Sequence, residues 1–272
     1  MSSVLAPELE TISWRRMDGP ELVHAARAAL AGPGVLRVSE FPTTTREYLR
    51  FLRAFGEPLR YYGSDAGTHP EASEIWQIKY DPESAARGET HALAGPLSAH
   101  SSQSLRDPRP RFFSMLMVNA GWQHLPLRTN GESVLAPWRL AVETMRADLG
   151  AAFDSVRQAL LDEVPFPDGS SRTVAYQLAS ARSVDDLGIR LKSDLLPFLE
   201  QAWPMHRGTH AVRHLVDAAQ KTALRISLQS GDLVLLDNDR WGHGRESVVG
   251  TAQNLGGELT LNPRELWSVT ID

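Results

Sequence analysis

The 272-residue chain contains no cysteine. That excludes a disulfide framework, a thiolate nucleophile, a zinc ribbon and a cysteine-held iron–sulfur cluster. Any metal must therefore be held by histidine, carboxylate or hydroxyl groups. Lysine is scarce: only Lys79, Lys192 and Lys221 accompany the arginines. There is no surplus of positive charge, because 33 acidic residues outnumber 28 basic ones and give a net charge of −5. That balance argues against a generic nucleic-acid surface. No apolar run approaches the roughly 18 residues a membrane helix needs. The opening MSSVLAPELETISWRR has no basic segment followed by an apolar one, so a soluble, cytoplasmic protein is the expectation. Repeats, low-complexity tracts and long charge blocks are absent as well.

What is present is ordinary globular material, with 42% hydrophobic residues and enough length for one embellished domain, 1–272. Residues 20–31 read as a helix with Pro20 near its start and Gly32 at its end. Residues 34–38 read as a strand, and 43–55 as a helix with apolar residues at 48, 49, 52 and 55. Residues 74–80 alternate like a strand. The polar, Gly/Ala-rich stretch 81–99 has no period and reads as a long loop of the kind that forms lids. FFSMLMV at 112–118 is a buried strand. Helical patterns cover 137–149, 151–163 and 209–221. Short strands follow at 223–228, 232–237, 246–249, 257–261 and 266–271. Helices first and strands later suggest an α+β fold with a C-terminal sheet or barrel.

Two histidines stand in informative contexts. His100 lies in LSAHSSQSLRDPRPRFFSMLMV, and His243 in SGDLVLLDNDRWGHGR. Each sits beside a strand. Two strands that each present one His inward, with a carboxylate two residues beyond the first, make a non-haem iron site. The residue two beyond His100 is Ser102. Asp237 and Asn238 read as turn organisers through side-chain-to-backbone hydrogen bonds. His206, His210 and His214 are spaced four apart, but Gly208 interrupts them and no HExxH-like carboxylate is present, so a solvated helix face is expected.

Four segments, in order, resemble the taurine dioxygenase/TfdA-like family of Fe(II)/2-oxoglutarate oxygenases. They are GVLRVSEFPTTTREYLRFLRAFGEPL, AHSSQSLRDPRPRFF, NGESVLAPWRLAVETM and GDLVLLDNDRWGHGR. The resemblance runs from about Gly34 to the C-terminus. It implies a double-stranded β-helix (jelly-roll) core with flanking helices, and His100 and His243 as metal ligands. It implies that Ser102 stands where the family has an iron-binding Asp or Glu. It also implies an arginine after the second His that grips 2-oxoglutarate. In the favoured register Gln253 takes that place; in the rival one Arg264 does. The resemblance also implies that His91, Gln103, Arg106 and Glu132 lie in or beside segments bordering the family's pocket, as candidate substrate contacts. Arg245 either binds a substrate carboxylate or pairs with a carboxylate inside the fold.

With Ser102 and Gln253 at those two positions, the expected protein is a small-molecule tailoring enzyme of secondary or amino-acid metabolism that works without cofactor. It would carry out an elimination or ring closure, with His243, His100 and Ser102 at the reacting centre. Its substrate is expected to be anionic or amino-acid-like, with no nucleic-acid or membrane partner. A homo-oligomer or a partner enzyme is compatible with the sequence. Two alternatives stand beside this one: an atypical oxygenase or halogenase using Fe(II), 2-oxoglutarate and Arg264, and an inactive relative that binds a ligand or stabilises a partner.

Overall fold

A computed structural model describes residues 9–61, 67–79, 82–88, 92, 95–121, 128–179, 186–248, 252–255, 258–261 and 264–272. Its centre is two facing sheets. The larger runs in the order Thr11–Ser13, Val35–Ser39, Leu233–Asp237, Phe112–Asn119, Glu265–Ile271, Ala72–Lys79 and Thr68–His69, and Pro58–Leu59 also pairs with Glu265–Ile271. The smaller is Leu224–Ile226, Ser133–Pro137, Trp241–Arg245 and Leu97–His100.

Three hydrophobic clusters explain why these segments become strands. In Leu233–Asp237, Leu233 and Leu235 face outward, while Val234 and Leu236 face the space between the sheets. In Phe112–Asn119, Phe112 and Leu116 point outward, and Phe113, Met115 and Met117 inward. Both faces are buried, so these strands read as continuous apolar runs instead of alternating ones. The outer face of the larger sheet is covered by the helices Gly19–Ala31 and Thr45–Leu52. A capping box at Asp18 and Glu21 starts the first of these, and the Thr44 side chain caps the second. The helices Trp138–Leu149, Phe153–Leu161, Leu195–Ala202 and Arg207–Thr222 cover the smaller sheet. The result is an α+β double-stranded β-helix with helices on both sides, as the resemblance implies.

Several elements differ from the sequence expectation. The stretch 81–99 is not one loop. It contains the helix Pro82–Ala86 and the start of the strand Leu97–His100. Residues 246–248 form no strand; Val248 makes only an isolated bridge to Asn130. The strand Trp241–Arg245 escapes a pattern reading because WGHGR has two glycines and no alternation. Each glycine has a packing reason. A Cβ on Gly242 would lie 2.2 Å from Cζ2 of the fully buried Trp138, and one on Gly244 would lie 2.4 Å from the Leu97 carbonyl oxygen. Among the described residues, no helix is long and apolar enough to cross a membrane.

Gly242→Ala is therefore expected to lower stability by about 1–3 kcal/mol through overpacking against Trp138. The shift would be read from the urea-unfolding midpoint.

Candidate metal and anion site

The antiparallel ladder between Trp241–Arg245 and Leu97–His100 makes His243 and His100 direct cross-strand partners. Their ring centroids are 4.4 Å apart. The register shifts between His243 and Arg245, where Gly244 lets the Leu97 carbonyl come close. Gly242 and Gly244 thus fix His243 from both sides. The His243 ring also stacks on Phe113 of the larger sheet, with centroids 3.9 Å apart.

The hydrogen bonds leave these imidazoles open. His100 Nδ1 lies 2.9 Å from the Ser98 carbonyl. A carbonyl only accepts, so Nδ1 carries the proton and Nε2 keeps its lone pair. His243 Nδ1 is buried and has no hydrogen-bond partner. Burial pushes both histidines below the ordinary imidazole range, and the neighbouring His100 pushes His243 further. Two neutral imidazoles face each other with no hydrogen bond joining them.

Ser102 is buried, and its backbone is held at both ends by one side chain. Its N–H donates to Asn238 Oδ1 at 2.8 Å, and its carbonyl accepts from Asn238 Nδ2 at 3.1 Å. The same Nδ2 reaches the Pro110 carbonyl at 2.9 Å. Asn238 is completely buried and clamps this distant segment instead of its own turn; the local turn is organised by Asp237, whose Oδ1 accepts from the Asp239 N–H at 3.0 Å. The following residue, Gln103, has a φ of 46°. Its Nε2 donates to Thr270 Oγ1 at 2.8 Å, and its Oε1 accepts from Arg106 Nη1 at 3.4 Å.

Arg264 enters the same cavity from the start of the strand Glu265–Ile271. It is 7% exposed, and its Nη2 donates to Ser133 Oγ at 3.1 Å. The Gly-Glu-Ser motif forms its cradle. Gly131 has a φ of +67°, and a Cβ there would press on Arg264 Cδ at 3.2 Å. Glu132 Oε1 accepts from the Arg128 N–H at 2.7 Å, while its Oε2 is buried with no hydrogen-bond partner. Burial and the neighbouring Arg245 push the Arg264 guanidinium down to about 9, and Glu132 pulls it partly back. A buried guanidinium whose hydrogen bond goes to a neutral hydroxyl is chemically suited to an anion.

The cavity measures about 920 Å³. It is lined by His100, His243, Ser102, Gln103, Arg106, Ser133, Arg245 and Arg264, among others. Arg245 donates to the Gly95 carbonyl at 3.2 Å. Glu132 stands behind the wall, next to Arg264. Gln253 lies on the strand Ala252–Leu255, whose side chains are outside the described residues, as is His91. His206 caps its own helix, accepting from the Gly208 N–H, and His210 and His214 are exposed. Among the described residues, no group of three His, Asp or Glu could hold a metal. Among the described residues, the donor set at this position is two imidazoles. A buried imidazole nitrogen without a partner, beside a second imidazole with a fixed lone pair, fits Fe(II). The Arg264 cradle fits a carboxylate.

The model of the taurine catabolism dioxygenase TauD, TfdA family matches residues 4–259. Among solved structures, the chain resembles an asparagine oxygenase in complex with Fe(II), 2S,3S-3-hydroxyasparagine and succinate. Identity is 16%, TM-score 0.59, and the match covers 93% of this chain and 79% of that one. It also resembles the non-heme iron oxygenase OrfP in complex with Fe and alpha-ketoglutaric acid, with 14% identity, TM-score 0.61 and 94% and 80% coverage. A taurine dioxygenase from Burkholderia xenovorans matches at 17% identity and TM-score 0.60, covering 98% and 87%. At these identities the likeness carries the fold. No curated protein sequence matches the chain. The expectation of a site with no cofactor is corrected by these structures, which hold iron with 2-oxoglutarate or succinate. The expectation had rested on Ser102 and on preferring Gln253 to the rival Arg264, whose buried side chain lines the cavity.

Two measurements check this geometry. Asn238→Ala would strip partners from the Ser102 N–H, the Ser102 carbonyl and the Pro110 carbonyl. The expected loss is about 2–4 kcal/mol in chemical unfolding. In the metal-free protein, both histidines bind protons more weakly when folded than when unfolded. Stability should therefore rise with pH from the lowered native range up to the ordinary value of 6.5, then level off. His243→Gln should flatten that slope in urea titrations run across pH.

Proposed function

The chain belongs to the TauD, TfdA family, and from that membership we propose an Fe(II)- and 2-oxoglutarate-dependent tailoring oxygenase acting on a small, amino-acid-like anion. One observation carries the reading: the His100–His243 pair and the buried Arg264 line the same cavity. His100 and His243 hold the iron in this reading. Arg264, steadied by Ser133, binds the distal carboxylate of 2-oxoglutarate. When bound, iron and 2-oxoglutarate supply the oxidation of a substrate C–H bond by dioxygen, with release of succinate and carbon dioxide.

The protein's own part is to bind, orient and exclude water. Phe113 stacks beneath His243, and Met115 and Leu266 line the wall alongside. An apolar floor strengthens every charged contact above it. His100 keeps Nε2 unprotonated through its bond to Ser98, so no proton competes for that lone pair near neutral pH. Ser102 contributes a neutral hydroxyl where a carboxylate would add a negative charge, which leaves the centre more positive. Among the described charged side chains of the wall, Lys192 is paired with Asp194, and Arg225 with Glu246. Arg106 and Arg264 donate to the neutral acceptors Gln103 and Ser133. A cavity with this surplus of guanidinium favours anionic ligands. An amino-acid-like substrate is supported by the structural relatives, one solved with hydroxyasparagine and another with (3R,4R)-dihydroxy-L-Arg.

Anaerobic calorimetric titration tests the reading. The protein should bind one Fe(II), and the iron-loaded protein should then bind 2-oxoglutarate saturably. Arg264→Gln should weaken 2-oxoglutarate by about a hundredfold while leaving the iron step intact. A wild-type protein that binds neither iron nor 2-oxoglutarate would overturn the proposal.

A further inference from the structure

The wall of the cavity away from the histidines is aromatic, and neither the iron centre nor Arg264 uses it. Tyr61 stacks on Trp76 with ring centroids 3.8 Å apart and planes tilted by 21°. Trp76 is itself fixed. A Cβ on Gly67 would come within 2.8 Å of its Cε2 and Cζ2, so the Gly67 backbone packs against the indole with no room for a side chain. Trp76 is buried, Tyr61 is half-buried, and both line the cavity. One face of the Tyr61 ring lies on Trp76, and Tyr61 lines the cavity. A ring braced in this way is a preorganised platform.

Strand register places this platform relative to the reacting centre. Trp76 pairs with Ser268, and Ser268 pairs with Met115, so one row across the sheet reads Trp76, Ser268, Met115. The large side chains at its ends are separated by the smallest one. Two strand spacings put Trp76 about 10 Å from the Met115 strand, which also carries Phe113 beneath His243. The low point at Ser268 therefore lies between the histidines and the aromatic pair. An arene on a short linker spans that distance.

A flat electron-rich ring attracts either another ring or a cation. Arg106 decides between them, because its guanidinium lines the same cavity with a neutral acceptor, Gln103, and disfavours a second cation there. We propose that the substrate carries an aromatic ring together with its anionic group, and that Tyr61, backed by Trp76, is the residue on which the ring stacks. This rests on the cavity being the substrate site of the oxygenase described above.

Binding to the metal-free protein tests the stacking, with 3-phenylpropanoate and L-tryptophan as ring-bearing probes. The controls are 3-cyclohexylpropanoate, of the same shape class without a π face, and L-arginine. Calorimetry should rank the ring-bearing probes above both controls. The probe's ring protons should shift upfield in NMR spectra as they enter the stack. Tyr61→Ala should weaken the ring-bearing probes by about three- to tenfold, and Tyr61→Phe should restore them. Equal affinity for the cyclohexyl control, preference for L-arginine, or unchanged affinity in Tyr61→Ala would each overturn the inference. The iron and 2-oxoglutarate titration of the wild-type protein is scored separately. Ring binding without iron or cosubstrate binding would sink the oxygenase and keep the platform. Iron and cosubstrate binding without ring binding would do the reverse.

Discussion

One cross-strand pair sets the geometry of everything else in the cavity. His243 and His100 face each other because two strands from distant parts of the chain meet in a ladder whose register is fixed by close approaches at Gly242 and Gly244. A side chain at either glycine would push the ladder out of register, against Trp138 on one side and the Leu97 carbonyl on the other. The histidines are thus placed by backbone packing, and their chemistry follows. His243 is buried and His100 half-buried, and no hydrogen bond joins the two neutral rings.

A second constraint is the buried charge of Arg264. Its stem passes over Gly131, its guanidinium meets Ser133, and Glu132 stands close enough to favour the charged form. The Gly-Glu-Ser motif is therefore three distinct services to one arginine: space, a hydrogen bond and a field. The two constraints meet across the strands Ser133–Pro137 and Trp241–Arg245, where Ser133 pairs with Arg245 and Leu135 with His243. His243 and the Ser133 that meets Arg264 are held by one ladder, so neither can shift without the other.

The parts of this arrangement legible in the sequence were those carried by local pattern. Helix caps, the apolar strand at Phe112–Asn119 and the Asp-Asn turn before His243 all announce themselves, and the family resemblance supplies the fold. The strand bearing His243 did not read as one, because its glycines serve tertiary contacts that local propensity penalises. The approach of Arg264 to the cavity could not be read along the chain either, because it depends on how Glu265–Ile271 pairs with Phe112–Asn119. The aromatic platform was equally invisible. Tyr61, Gly67 and Trp76 become neighbours only when the strand edge folds back.

The three hydrophobic clusters have a consequence for how such a protein can change over evolutionary time. The outer faces of both sheets are clamped by helices through the two larger clusters, and the cavity occupies the space between the sheets beside the third. Residues lining the chamber, such as Ser268, Ser102 and Arg106, therefore sit on a frame whose cohesion comes mostly from elsewhere. Drift at these inner positions can retune what the chamber accepts without dismantling the walls. A shell of this kind tolerates a serine such as Ser102 on the wall of the chamber without cost to the frame.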